Sequence, residues 1–132
     1  FYLPGDGGQR LQFFHVRDLC GVMEAIMETN PAAHILNVGN KVTVSVKEWV
    51  TMCYACFGKE PSFVHVSKEI EQRNYFSFYD YDYELDVQKM QAVYPNTIPF
   101  EEGLKEAARW YRSNEAAVNK KAYFAYIDEK LT

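Results

Sequence analysis

The chain has 132 residues, 48% of them apolar and 24% charged, with a net charge of −4. That is one domain's length, enough to bury roughly two-thirds of the surface its unfolded chain exposes, and the composition excludes a disordered tract. The acidic balance offers no electrostatic footprint for nucleic acid or an anionic membrane surface, and no run approaches the roughly 18 apolar residues of a membrane span.

The opening decapeptide carries Pro4, Asp6, Gly5, Gly7 and Gly8. It reads as neither a signal nor a transit peptide, so the expected location is the cytoplasm. Three cysteines, Cys20, Cys53 and Cys56, are an odd count that argues for a reducing compartment and against a disulfide framework. Cys53 and Cys56 form a CxxC late in a helical stretch, with no second pair to complete a zinc site. They are read as buried core residues, and no metal is expected.

In chain order, residues 1–11 read as a Gly-rich loop and Gln12 to Val16 as a short strand. Asp18 is placed to cap a helix to Thr29, with Leu19, Val22, Met23, Ile26 and Met27 on one face. Asn30-Pro31 stops it, and Gly21 inside it implies a close neighbour, since glycine there costs about 1 kcal/mol against alanine. Ile35 to Val38 reads as a strand closed by Gly39-Asn40. Ser45-Val46-Lys47-Glu48 spells a capping box, and the helix behind it puts Val46, Trp49, Val50, Cys53, Cys56 and Phe57 on one face before Gly58.

Ser62 to Val66 alternates as a strand, and Lys68 to Arg73 is polar, either one helical turn or a loop. Phe76 to Tyr83 is a dense aromatic run; if extended, it places Tyr79, Tyr81 and Tyr83 opposite Asp80 and Asp82. Asp86 is placed to cap a helix to Val93, and Pro99 opens a last helix with Leu104, Ala107, Ala108 and Tyr111 on one face. No repeat or linker interrupts this, so the fold class is α+β: a domain over 1–113 and a mixed tail over 114–132.

Four stretches, taken together, resemble one known family. They are Gly5-Asp6-Gly7-Gly8-Gln9 followed by Phe13-Phe14-His15-Val16-Arg17-Asp18; Asn37-Val38-Gly39 with Ser45 to Glu48 and Gly58 to Pro61; Asp86 to Lys89; and Pro99 to Glu106 ending in Trp110-Tyr111-Arg112. Their order is similar to the C-terminal, substrate-side portion of extended short-chain dehydrogenases/reductases, the NAD-dependent epimerase/dehydratase family. The chain opens on Phe1 and contains no Gly-rich dinucleotide fingerprint. The resemblance therefore implies a substrate-side portion of a larger enzyme acting on a nucleotide-activated sugar. In that picture the NAD or NADP and the catalytic Tyr/Lys pair belong to a missing N-terminal Rossmann half.

On this reading the chain alone holds no cofactor and is inactive, and its parent is a homo-oligomer. The resemblance also implies that Ile35 to Val38 and the helix before it pack on the nucleotide-binding sheet. Without that sheet, the seam around 12–16 and 35–38 is expected to draw a second chain.

The family's phosphate-binding arginine falls at Leu11, and Arg10 stands one position earlier, where a strand would turn it to the opposite face. Either Arg10 still reaches a diphosphate from a loop, or this chain binds something else. His15 has two readings: a residue lining the crevice beside substrate, as in the family, or a hydrogen-bonded residue of a buried strand face. The substrate-binding set is Arg10, His15, Arg73 and Tyr79, with no catalytic residue in the chain. The carboxylates of the aromatic run oppose a diphosphate unless Arg73 compensates. Tyr126 and Lys130 reproduce the Y-x-x-x-K spacing in the tail, where it is coincidental. Two other functions stand beside the enzyme: an RNA-binding or regulatory relative, and an interaction module supported by the aromatic stripe.

Overall fold

Residues 1–32, 35–66, 81–82 and 84–118 are described in the computed structural model. The polar stretch with Arg73, Tyr79 and most of the aromatic run, and the Tyr126/Lys130 spacing, lie outside the described residues.

Two glycines at the entrance change the expected loop into paired strands. Gly5 and Gly7 have φ of 58° and 73°, and a Cβ on Gly7 would lie 2.4 Å from Leu3 Cδ2. Only glycine meets both demands. The reversal frees β1 (Tyr2–Pro4) to pair in parallel with β4 (Val64–Val66), Leu3 opposite His65. It also delivers β2 (Arg10–Gln12) to an antiparallel ladder with β3 (Thr43–Ser45), Leu11 opposite Val44. The strand expected at 12–16 is therefore 10–12, paired along one edge with β3.

Helix α1 runs Val16–Thr29, starting three residues earlier than expected, because His15 rather than Asp18 caps it. His15 is extended (φ −76°, ψ 138°) and its ring accepts the Arg17 amide. Asn30 ends the helix in the left-handed region, its amide on the Ile26 carbonyl. Helix α2 (Val46–Ala55) begins as its sequence foretells, with both hydrogen bonds of the Ser45/Glu48 box in place. Gly58, at φ 67°, closes its C-terminal turn while the Lys59 amide returns to the Tyr54 carbonyl. Helix α3 spans Gln88–Val93, with Asp86 accepting the Gln88 amide at its entrance, and α4 spans Phe100–Ser113 behind Pro99. A 3-10 turn follows at Glu115–Ala117.

Two clusters hold these elements. Leu3, Val46 and Val50 are buried together, with Leu11, Trp49, Tyr54 and Phe63 against them. Val22, Val87 and Met90 form the second, covered by Phe14, Ile26, Leu36, Val38 and Tyr94. The segment at 35–38 joins the second cluster through Leu36 and Val38 but forms no strand.

Three face assignments need correction. On α1 only Val22 of the expected apolar face is buried, and Leu19, Met23 and Met27 are exposed. On α4, Gly103 and Ala108 face inward while Tyr111 lies outside. The cysteines are not core residues: Cys20 is exposed and Cys53 and Cys56 are half-buried. Burial still raises the Cys53 thiol above its ordinary pKa, and the neighbouring Cys56 adds to that.

Candidate functional site

The exit of β2 and the start of α4 enclose a small hollow of about 140 Å³. Its wall is aromatic: Phe13 lies 5.1 Å from the Trp49 ring and 5.2 Å from that of Phe100, centroid to centroid and tilted in both pairs. Asn40 and His15 are the polar residues at its rim, and Ile98, Pro99, Gly103 and Leu104 complete it. A wider groove of about 570 Å³ shares Asn40, Pro99 and Phe100 with it. An apolar floor with few polar groups suits the C–H face of a sugar or another flat ligand.

Asn40 fixes this geometry from a buried position. Its amide donates to the Phe13 carbonyl at 2.8 Å, its Nδ2 to the Ile98 carbonyl at 3.2 Å, and its Oδ1 accepts from the Val42 amide at 3.1 Å. Backbone and side chain of this one residue thus tie the exit of β2, the 40–42 turn and the 94–99 loop. His15 reaches the hollow from the α1 cap. Its Nδ1 accepts the Arg17 amide at 3.2 Å, which in the neutral ring leaves the proton on Nε2. The ring lies against Gly103, where a Cβ would stand 2.9 Å from His15 Cδ2. His15 therefore lines this hollow while its ring is also held by a structural bond, and it stands at a helix cap rather than on a strand.

Sequence reasoning misplaced Asp18, which anchors the same loop. Only 1% of it is exposed. Its Oδ2 accepts the Ile98 amide at 2.9 Å and its Oδ1 the Tyr94 hydroxyl at 3.3 Å. Burial, then the Asp18 charge and its hydrogen bond, raise the Tyr94 hydroxyl above the ordinary tyrosine pKa. Tyr94 is also the neighbour that Gly21 implies, since a Cβ there would lie 2.7 Å from its ring. The signal for Asp18 was the possibility that His15 caps, which puts an acidic residue in the first turn of α1.

Arg10 belongs to a different surface. It lines a shallow groove of about 660 Å³ with Thr43, Ser45, Lys47, Glu48 and Thr51. Its Nε donates to Thr43 Oγ1 at 2.8 Å and its Nη2 to the Thr43 carbonyl. Leu11, one residue on, turns into the apolar cluster. Arg10 is therefore on a strand and held against β3, and it is not brought together with His15. Its backbone amide donates to Asp82 Oδ1 at 2.8 Å, so this carboxylate of the aromatic run is tied to β2 rather than merely solvated. Glu48 has its carboxyl lowered below the ordinary value by the Ser45 amide, then the Ser45 hydroxyl, with Arg10 adding to the effect. Arg73 and Tyr79 lie outside the described residues.

The α2 N-terminus faces Arg10's strand but is no anion site. The amides of Val46, Lys47 and Glu48 are already taken by the Gln9 carbonyl, the Gly7 carbonyl and Ser45 Oγ. Among the described residues, no group of three His, Cys, Asp or Glu side chains is placed to hold a metal ion, and no helix is long and apolar enough to cross a membrane.

No family model matches the chain. Among curated proteins it is similar to the trifunctional UDP-glucose 4,6-dehydratase/UDP-4-keto-6-deoxy-D-glucose 3,5-epimerase/UDP-4-keto-L-rhamnose-reductase of Arabidopsis thaliana. The two are 26% identical over 113 residues, 85% of this chain and 16% of that protein. Among solved structures it is similar to the dTDP-glucose 4,6-dehydratase of Streptomyces venezuelae with NAD bound. That match has a TM-score of 0.69 and 23% identity, and covers 89% of this chain and 35% of the other. A second similarity is to MoeE5 in complex with UDP-glucuronic acid and NAD, with a TM-score of 0.64, 27% identity, and 86% and 36% coverage. The chain thus spans about a third of the length of these solved relatives and a smaller share of the curated one.

Proposed function

We propose, for a chain with the fold of the C-terminal, substrate-side portion of an extended short-chain dehydrogenase/reductase, that it supplies the sugar-contacting wall of an epimerase or dehydratase acting on a nucleotide-activated sugar. The observation that carries this reading is the aromatic hollow at the β2 exit, in a fold whose solved relatives include structures with NAD and with UDP-glucuronic acid bound. Phe13, Trp49 and Phe100 present an apolar face to a ring, and His15 and Asn40 set its rim. Arg10 has three of its five N–H donors beyond the two spent on Thr43, enough to meet a phosphate along the neighbouring groove. Arg73 and Tyr79 keep their assignment to substrate contact from the sequence.

On this reading the dinucleotide is held elsewhere. Pyrophosphate binding needs a Gly-rich turn and free amides at a helix N-terminus, and the first amides of α2 are spent within the chain. NAD or NADP and the Tyr/Lys pair that would use it are assigned to residues beyond these 132. On this reading the chain by itself is inert and serves to bind and orient substrate.

Heteronuclear NMR titration with UDP-glucose tests this. Saturable shifts at Phe13, His15, Trp49, Phe100 and Arg10 are the expected result. Shifts confined to other surfaces, or none up to the solubility limit, would overturn the assignment.

A further inference from the structure

The last turn of α2 gathers three sulfurs on one surface. Met52, Cys53 and Cys56 are all half-buried, and both thiols are free. Cys56 is four residues from Met52 and three from Cys53, so on the helix it is a neighbour of both. Met52 and Cys56 line a hollow of about 270 Å³ between α2 and α4, with Glu101, Leu104 and Lys105 on its far wall. The two thiols sense each other, since the charge of Cys56 adds to burial in raising Cys53. The backbone around them is fixed. The Cys56 amide donates to the Met52 carbonyl, the Phe57 and Lys59 amides to that of Tyr54, and Gly58 holds its left-handed φ.

We propose that Met52, Cys53 and Cys56 form a trigonal, all-sulfur site for a soft monovalent cation of the Cu(I) class. Spacing decides against a disulfide. Side chains three apart on a helix keep their Cβ atoms about 5–6 Å apart, whereas a disulfide draws them to about 3.8 Å. Two thiolate–metal bonds of about 2.3 Å reach across about 4.6 Å between sulfurs, which that width accommodates. Methionine's flexible thioether can close the third side.

Donor chemistry decides the metal. Among the described residues no His, Asp or Glu joins the cysteines in a three-ligand group, so the four ligands of a closed zinc site are missing. Two thiolates with a thioether select Cu(I) instead. Binding displaces two thiol protons and leaves one net negative charge on the complex. Lys105 faces that charge from the far wall, an effect tempered by Glu101 at 3.9 Å from its ammonium. None of the three sulfurs lines the aromatic hollow, so this site is independent of the sugar reading.

Anaerobic titration of the reduced chain with a Cu(I)–acetonitrile complex, against bicinchoninate as competing chelator, tests this. One Cu(I) per chain is expected, with X-ray absorption reporting three sulfur neighbours. Cys53→Ser and Cys56→Ser are each expected to lose the site, and the corresponding alanine variants repeat the test if a serine variant folds poorly. Met52→Leu conserves volume and should keep the metal with two sulfur neighbours. Cys20→Ser, on α1, should change neither stoichiometry nor coordination. No copper retained against the chelator would overturn the proposal, as would copper that survives both cysteine changes. So would three sulfur neighbours persisting in Met52→Leu, or retention of Zn²⁺ in preference to Cu(I).

Discussion

Asp18→Ala is expected to be the most damaging single polar substitution among the described residues. Asp18 is nearly sealed, and its two oxygens serve the Ile98 amide at 2.9 Å and the Tyr94 hydroxyl at 3.3 Å. Hydrogen bonds to a charged group contribute about 1.5–3 kcal/mol each, but release of the buried carboxylate returns part of that, so the expected net loss is about 3 kcal/mol. For a domain of this size that corresponds to a fall in Tm of about 12 °C. Asp18→Asn has the same shape and keeps one acceptor for Ile98, while its amide can donate to the Tyr94 oxygen, so its cost is about 1 kcal/mol. Thermal unfolding by circular dichroism compares the two. The alanine variant has a second consequence: Ile98 lines the hollow, so NMR shifts induced there by UDP-glucose should shrink. An alanine variant as stable as the unsubstituted chain, or an asparagine variant as damaged as the alanine one, would refute the account of Asp18 as the anchor of the 94–98 loop.

Ser45→Ala should cost about 1 kcal/mol by leaving the Glu48 amide without its cap, read by chemical denaturation with an unchanged slope. Gly21→Ala should destabilise by about 1–3 kcal/mol despite alanine's helix preference, because the new Cβ meets the Tyr94 ring; Tyr94→Leu in the same chain should remove most of that penalty. The Tyr94 hydroxyl is raised in the folded chain, so its contribution is whole below the ordinary tyrosine range and falls as pH climbs through the raised value. Tyr94→Phe should therefore flatten the alkaline end of the stability profile. Glu48 is lowered, so its contribution is whole above the ordinary glutamate range and is lost as pH falls through the lowered value; Glu48→Gln should flatten the acid end.

Local chemistry made much of the fold readable. The Ser45/Glu48 box needs only four consecutive residues to be recognised, and α2 starts where they stand. The α+β class and the four helices follow from periodicity in the same way. What failed depended on distant partners. The strands at 2–4 and 10–12 exist because Val64 and Thr43 arrive beside them, which a Gly-rich opening does not announce. Leu19, Met23 and Met27 look like core residues by spacing, yet spacing cannot tell which arc of a helix finds a neighbour. At the site, the resemblance singled out His15, but its packing against Gly103 and the bond of Asp18 to Ile98 depend on residues about ninety and eighty positions away in sequence. Arg10 was legible as a cation out of register; that Thr43 would hold it was not.

The central claim is that this chain contacts the sugar and leaves the dinucleotide to residues beyond it. Isothermal titration calorimetry of the purified chain against UDP-glucose and, separately, NAD and NADP tests it most directly. Weak saturable heat with UDP-glucose, reduced by Arg10→Ala, and no saturable heat with either dinucleotide is the expected result. Low-micromolar binding of NAD or NADP would contradict it.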